Sequence, residues 1–132
     1  MHGKRHRFET DFTEWIAKAV ENGVPDAVRA FAFNLFELAQ ADEARFAVEL
    51  VGTSEFSGTE SDWACTENWE PIQRTLRIPI SFSGEAWGEC IWRVQSLIQN
   101  MLESDSNPSR ILKSRDGIGI GFVDGDLRIV RP

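Results

Sequence analysis

The chain has 132 residues, 42% of them hydrophobic and 27% charged, with a formal net charge of −7. That length and mix suit one globular domain with its own core, and no apolar run approaches the roughly 20 residues a membrane helix needs. An acidic balance repels phosphate backbones, so the expected partner is a basic protein and not a nucleic acid.

Residues 1–7 read as a basic flexible tail. Lys4, Arg5 and Arg7 are three of the chain's 14 basic residues, and no acid accompanies them. Residues 8–132, read as a single domain, therefore hold 11 basic against 21 acidic residues. The opening has no apolar leader region, which predicts a cytoplasmic location. Both histidines, His2 and His6, fall in the tail.

A first helix is expected from Thr10 or Asp11, with Asp11 and Glu14 spaced like a capping box. Phe12, Trp15, Ile16, Ala19 and Val20 give it one apolar face. Asn22-Gly23 supplies a left-handed stop, and Pro25 prevents continuation. Val28 to Leu38 reads as a strand with two largely apolar faces, hence central or covered on both sides. Its Ala and Leu content also permits a helix. Asn34 on its second face is expected to be a hydrogen-bonded structural residue.

A polar turn at Gln40 to Ala44 leads to a second strand, Phe46 to Val51, forming a hairpin with the first. Thr53 to Gln73 shows no clear period. Loops of that length are usually functional or disordered, and Trp63 and Trp69 argue for order. Leu76, Ile78, Ile80 and Phe82 alternate in a third strand that Pro79 makes an edge strand or bulges.

Ser83 is the expected N-cap of a long helix with Trp87, Ile91, Val94, Ile98, Met101 and Leu102 on its apolar stripe. Asn107-Pro108 opens a short third helix. Gly117, Gly119 and Gly121 then alternate with Ile118, Ile120 and Phe122, leaving one strand face bare. A helix packed over that face is expected. Asp124-Gly125 makes the turn into a last strand, Leu127 to Val130. These glycines precede a hairpin and not a helix, so they are no dinucleotide fingerprint.

The resulting order, α-β-β-β-α-(α)-β-β, predicts an α+β fold. Its sheet would be antiparallel with about five strands, and two main helices would pack on it.

Chemistry is sparse. Nucleophile–base pairs require a histidine that residues 8–132 lack. Cys65 and Cys90 form no CxxC pair, so no metal site is expected and both are expected as free thiols. No cofactor or catalytic residue is assigned. Glu55, Glu60, Asp62, Glu67 and Glu70 allow a carboxylate acid–base pair in principle, which keeps a small-molecule-binding or hydrolytic protein as an alternative. Their spacing does not match an EF-hand. A third alternative is an oligomeric structural protein joined at the edge near Pro79.

The binding reading rests on Glu37 to Glu70, which contains nine acids and one base, Arg45. Glu55, Glu60, Asp62, Trp63, Glu67, Trp69 and Glu70 are its expected contact residues, with carboxylates for steering and indoles as anchors. Each Trp equally suits a second role, pinning the loop to the body. The phrases FAFNLFE, ELVGTSEF, DWAC and GIGIGFVDGD resemble those of small acidic bacterial proteins, some of them immunity proteins of toxin–immunity loci. The resemblance spans Phe8 to Val130 and assigns no residue roles. It implies a stoichiometric inhibitor that covers the active site of a basic toxin such as a nuclease; the chain itself is expected to be a monomer or a weak homo-oligomer.

Overall fold

A computed structural model describes residues 8–39, 44–123 and 127–131. Helix α1 (Phe8–Val20) buries Phe8, Phe12, Trp15, Ile16 and Val20. It starts earlier than the acidic pair suggested. Phe8 extends the apolar stripe back by one turn and packs on Phe82, ring centroids 4.8 Å apart. Asp11 thus lies in the first turn, where its charge still faces the positive end of the helix. The stop is as read: Gly23 takes φ +88° and its N–H bonds the Val20 carbonyl at 2.9 Å.

Strands β1 (Ala30–Glu37) and β2 (Ala44–Thr53) pair antiparallel in unbroken register, Ala30 opposite Thr53 through Glu37 opposite Phe46. The expected turn at 40–44 lies outside the described residues, apart from Ala44 in β2. β1 is central, as its two apolar faces required. Asn34 donates to the cross-strand Glu49 carboxylate at 3.0 Å, the structural role expected of it.

The other edge of β2 receives two short strands. β3 (Glu67–Trp69) pairs with its end, and β4 (Thr75–Pro79) pairs with its first half. The third strand was expected to continue to Phe82, but it stops at Pro79. That residue lacks an N–H to extend the ladder, and a single helical turn follows, α2 (Ile80–Ser83). Gly84 at φ +74° closes that turn. Ser83 is therefore not the cap of the long helix. It is buried, and its hydroxyl donates to the Gly84 carbonyl.

The long helix α3 (Trp87–Leu102) follows Ala86 and buries Cys90, Ile91, Val94, Leu97, Ile98, Met101 and Leu102. Trp87 stands at its overhanging first turn, 40% exposed and stacked on Phe122 at 4.3 Å. Helix α4 (Asn107–Lys113) is capped by Ser106, whose hydroxyl accepts from the Ser109 N–H.

β5 (Gly117–Phe122) lies beside β1, and β6 (Arg128–Arg131) returns antiparallel to it. The turn expected at Asp124-Gly125 falls outside the described residues. The fold is α+β with a mostly antiparallel sheet in the order β3-β2-β1-β5-β6, with β4 also on β2. One pairing corrects the expected all-antiparallel sheet: β1 and β5 run parallel, Ala30 opposite Gly117 and Leu35 opposite Phe122. The chain between them includes helices that carry it back to the starting end of β1, the kind of long connection a parallel pair needs. The Asp116 N–H then bonds the Arg29 carbonyl at 2.7 Å, setting the two strands in register.

The main core fills one side of the sheet. Phe31, Phe33 and Leu35, Phe46, Val48 and Leu50, and Ile118 and Ile120 meet the apolar faces of α1, α3 and α4 there. The opposite side carries Ala30, Ala32 and the glycines of β5.

Candidate functional site

The second side of the sheet is floored by small residues. The β1–β5 register puts Ala30 beside Gly117 and Ala32 beside Gly119, and Val51 lies opposite Ala32 on β2. The expected helix does not cover this floor. The loop between β2 and β3 does, through the 3-10 turn Ser61–Cys65. Trp63 is 2% exposed and clusters with Ala30, Ala32 and Val51, and Phe56 packs edge-on against it at 5.0 Å. A Cβ added at Gly119 would stand 2.9 Å from Trp63 Cζ2, and one at Gly117 would enter the Phe56 ring. Only glycine leaves room for these two rings to lie so close to the strand.

Hydrogen bonds close the loop at its base. The Ser54 N–H bonds the Thr66 carbonyl at 2.9 Å, and the Glu55 N–H bonds Thr66 Oγ1 at 3.2 Å. The Thr66 N–H and hydroxyl both donate to the Trp63 carbonyl. At the tip, Ser57 Oγ accepts from the Thr59 and Glu60 N–H groups. The result is a compact surface loop packed by its own side chains.

The seven expected contact residues separate into three groups. Trp63 pins the loop to the sheet. Trp69 is half-buried and leans the other way, edge-on to Phe31 in the main core at 6.1 Å. The two indoles thus pack against opposite sides of the sheet.

Glu67 and Glu70 form the second group, both ion-paired to Arg74. Arg74 also reaches Glu49 at 3.1 Å, and Glu49 in turn accepts from Asn34. Glu49 is only 17% exposed, so this arginine neutralises a carboxylate that would otherwise be desolvated and charged. Arg74 was missed from sequence. The signal was its place as the first base after Arg45, four residues past Glu70. The Trp15 indole N–H donates to the Gln73 carbonyl at 2.7 Å, so α1 fixes the backbone that presents it.

Glu55, Glu60 and Asp62 are the third group. All three are exposed, and none has a side-chain hydrogen bond or ion pair among the described residues. The site therefore consists of three uncompensated carboxylates on a loop held from below by Trp63 and Phe56 and at its base by Thr66.

The Arg74 cluster sets a pH dependence. The hydrogen bonds from Arg74 hold Glu67 below its ordinary 4.5, burial opposes this, and the charge of Arg74 adds to the lowering. The hydrogen bonds that Arg74 donates to Glu67, Glu49 and Glu70 in turn raise Arg74 above its ordinary value. A depressed carboxylate stabilises the fold above its unfolded pKa and loses that contribution as pH falls through its folded pKa. Arg74→Gln is expected to cost about 1–3 kcal/mol at pH 7: solvent screening keeps the Glu67 and Glu70 pairs modest, and the less exposed Glu49 left unpaired adds to them. The gap between parent and variant should narrow below about pH 4.5. Urea midpoints at pH 7 and pH 3 check this, and an equal gap at both would contradict it.

Among the described residues no three His, Cys, Asp or Glu side chains stand close enough to hold a metal ion. Both cysteines are free, Cys65 exposed on the loop and Cys90 buried in α3. Burial first, then the nearby Glu89, pushes the Cys90 thiol up to about 12. The native protein should therefore take one alkyl group rapidly at Cys65 and a second only on unfolding, as read by intact mass. Rapid labelling of both would show that α3 opens in the native state.

A polar cleft lies at the starting ends of β1 and β5, lined by Asp26, Arg29, Arg115 and Asp116 among others. Three of its four charged groups have structural partners among the described residues. Arg29 pairs with Asp116, and Arg115 donates to the carbonyls of Val24, Pro25 and Val28. Among the described residues no helix is long and apolar enough to cross a membrane. No protein-family model, curated protein or solved structure matches the chain.

Proposed function

We propose that this chain is a protein-binding domain that docks a basic partner on the loop Glu55 to Glu70, in the manner of an immunity protein neutralising a toxin. One observation carries the reading. Glu55, Glu60 and Asp62 are exposed and unpaired among the described residues, on a loop whose central tryptophan is buried.

A fixed loop loses little freedom on docking, so more of its contact energy appears as affinity. Unpaired carboxylates attract a basic surface at long range and raise the association rate. Glu67 and Glu70 contribute to the same field, weakened by Arg74. Trp63 acts here as the support of the loop. Trp69, half-buried and turned toward the main core, would offer a partner only the edge of its ring.

Co-expression with the product of the neighbouring gene tests the proposal. The expected result is a one-to-one complex that survives purification at low salt and protects the host if that product is toxic. Failure of the two to associate, or association unchanged by Glu55→Lys/Glu60→Lys/Asp62→Lys, would overturn it.

A further inference from the structure

At the opposite edge of the sheet from the acidic loop, β6 presents a strand with no neighbour on its outer side among the described residues. Its sequence is Arg-Ile-Val-Arg. Ile129 and Val130 are half-buried, packing toward the minor and main cores respectively. Arg128 and Arg131 are exposed, and neither has an ion pair or side-chain hydrogen bond among the described residues.

A groove of about 460 Å³ runs beside this edge, between Val130 and Arg131 on one side and Ser96 and Gln99 of α3, with Glu103 just past its end, on the other. Trp92 stands one turn before Ser96 on that side of the helix and is 63% exposed. An open backbone edge, a flanking groove, an exposed indole in line with it and two unpaired cations therefore occur together.

We propose that β6 accepts an extended acidic peptide segment of a partner protein by strand addition. The outward N–H and C=O groups of residues 128–131 would pair with the incoming backbone, the usual source of affinity in this mode. β6 shifts register against β5 between Ile129 and Arg131, so the match to two carboxylates flanking two apolar residues would rest on the reach of the long Arg128 and Arg131 side chains and not on strict cross-strand opposition. Trp92 would cover the segment's apolar side chain on the helix side.

Charge selects this occupant over a second copy of the chain. In a two-fold register centred on Ile129 and Val130, the arginines of one copy would face those of the other, which is unfavourable. Two arginines on so acidic a body are also a poor match for nucleic acid.

The test uses two synthetic ten-residue peptides, one with Glu-Val-Ile-Glu at its centre and one with Lys-Val-Ile-Lys. Titration followed by amide shifts should perturb residues 128–131 with the acidic peptide, which should bind at least ~10-fold tighter than the basic one. Arg128→Glu/Arg131→Glu, both surface changes, should reverse that preference. N-methylation of the peptide valine or of the isoleucine, whichever N–H faces β6, should weaken binding by about 10-fold. The proposal falls if the acidic peptide leaves residues 128–131 unshifted at millimolar concentration, if both peptides bind alike, or if neither N-methylation matters. It also falls if sedimentation without peptide shows self-association that the double variant abolishes, since a second copy would then hold the edge.

Discussion

Trp63→Ala is expected to lower the unfolding free energy by about 3–5 kcal/mol, the range for truncating a buried aromatic. The indole is the largest buried side chain of the minor core. It is 2% exposed, and Ala30, Ala32 and the β5 glycines beneath it have no side chains long enough to fill the space it leaves. Phe56 would lose its edge-on partner as well. The loop 54–66 would then keep only Phe56 over Gly117 and its hydrogen bonds at the base, and its amides should exchange with solvent much faster than in the parent.

Trp63→Phe is the informative control. It keeps much of the apolar contact and removes an indole N–H that has no hydrogen-bond partner among the described residues, so its loss should be clearly smaller. Urea unfolding followed by far-ultraviolet circular dichroism measures both. A loss under about 1 kcal/mol for the alanine variant would mean that the loop is not part of the core.

Gly119→Val should cost about 1–3 kcal/mol by overpacking the same contact from the other side. Even a bare Cβ at residue 119 would stand 2.9 Å from Trp63 Cζ2 and 3.3 Å from the Arg128 carbonyl oxygen. The second atom is backbone of the paired strand and cannot swing away. The first belongs to a rigid ring already braced by Phe56. Valine's higher strand propensity offsets part of the loss but is worth less than the clash.

The two sites touch, so their effects should not add. In the double variant Trp63→Ala/Gly119→Val the valine occupies space the indole vacated, and the combined loss should fall below the sum of the single losses. A thermal melt of Gly119→Val indistinguishable from the parent would contradict the packing described.

Much of this arrangement was legible in the residues, wherever short-range periodicity decides the structure. The α1 stripe from Phe12 to Val20, the alternation of β1 and β2, and the apolar face of α3 from Ile91 to Leu102 followed from spacing alone, whereas Trp87, expected on that face, is exposed. What required the fold was how distant segments meet. Asn34 declared itself as a polar residue on an apolar strand, but its partner Glu49 depended on the hairpin register. The bare glycine face and Trp63 were each conspicuous. Their contact arises because β1 and β5 are parallel and in register, which makes a small-residue floor from two strands some eighty residues apart. No local signal sets that orientation.

Pro79 correctly marked an edge, but alternation at Ile80 and Phe82 mimicked a strand where the missing N–H ends one. At the site, the charge excess was visible while its partition was not. Arg74 neutralises Glu67 and Glu70 only because β3 and the start of β4 lie along the same edge of β2. Glu55, Glu60 and Asp62 are left as the uncompensated charge.

The most direct measurement of the proposed docking surface is stopped-flow association of the parent and of Glu55→Lys/Glu60→Lys/Asp62→Lys with the neighbouring gene product, at low and high salt. The three positions are exposed and outside both cores, so the variant should melt with the parent. The parent should associate fast and slow steeply as salt rises. The variant should associate at least ~10-fold more slowly at low salt and lose most of that salt dependence. Equal association rates and equal salt slopes for two folded proteins would contradict the account.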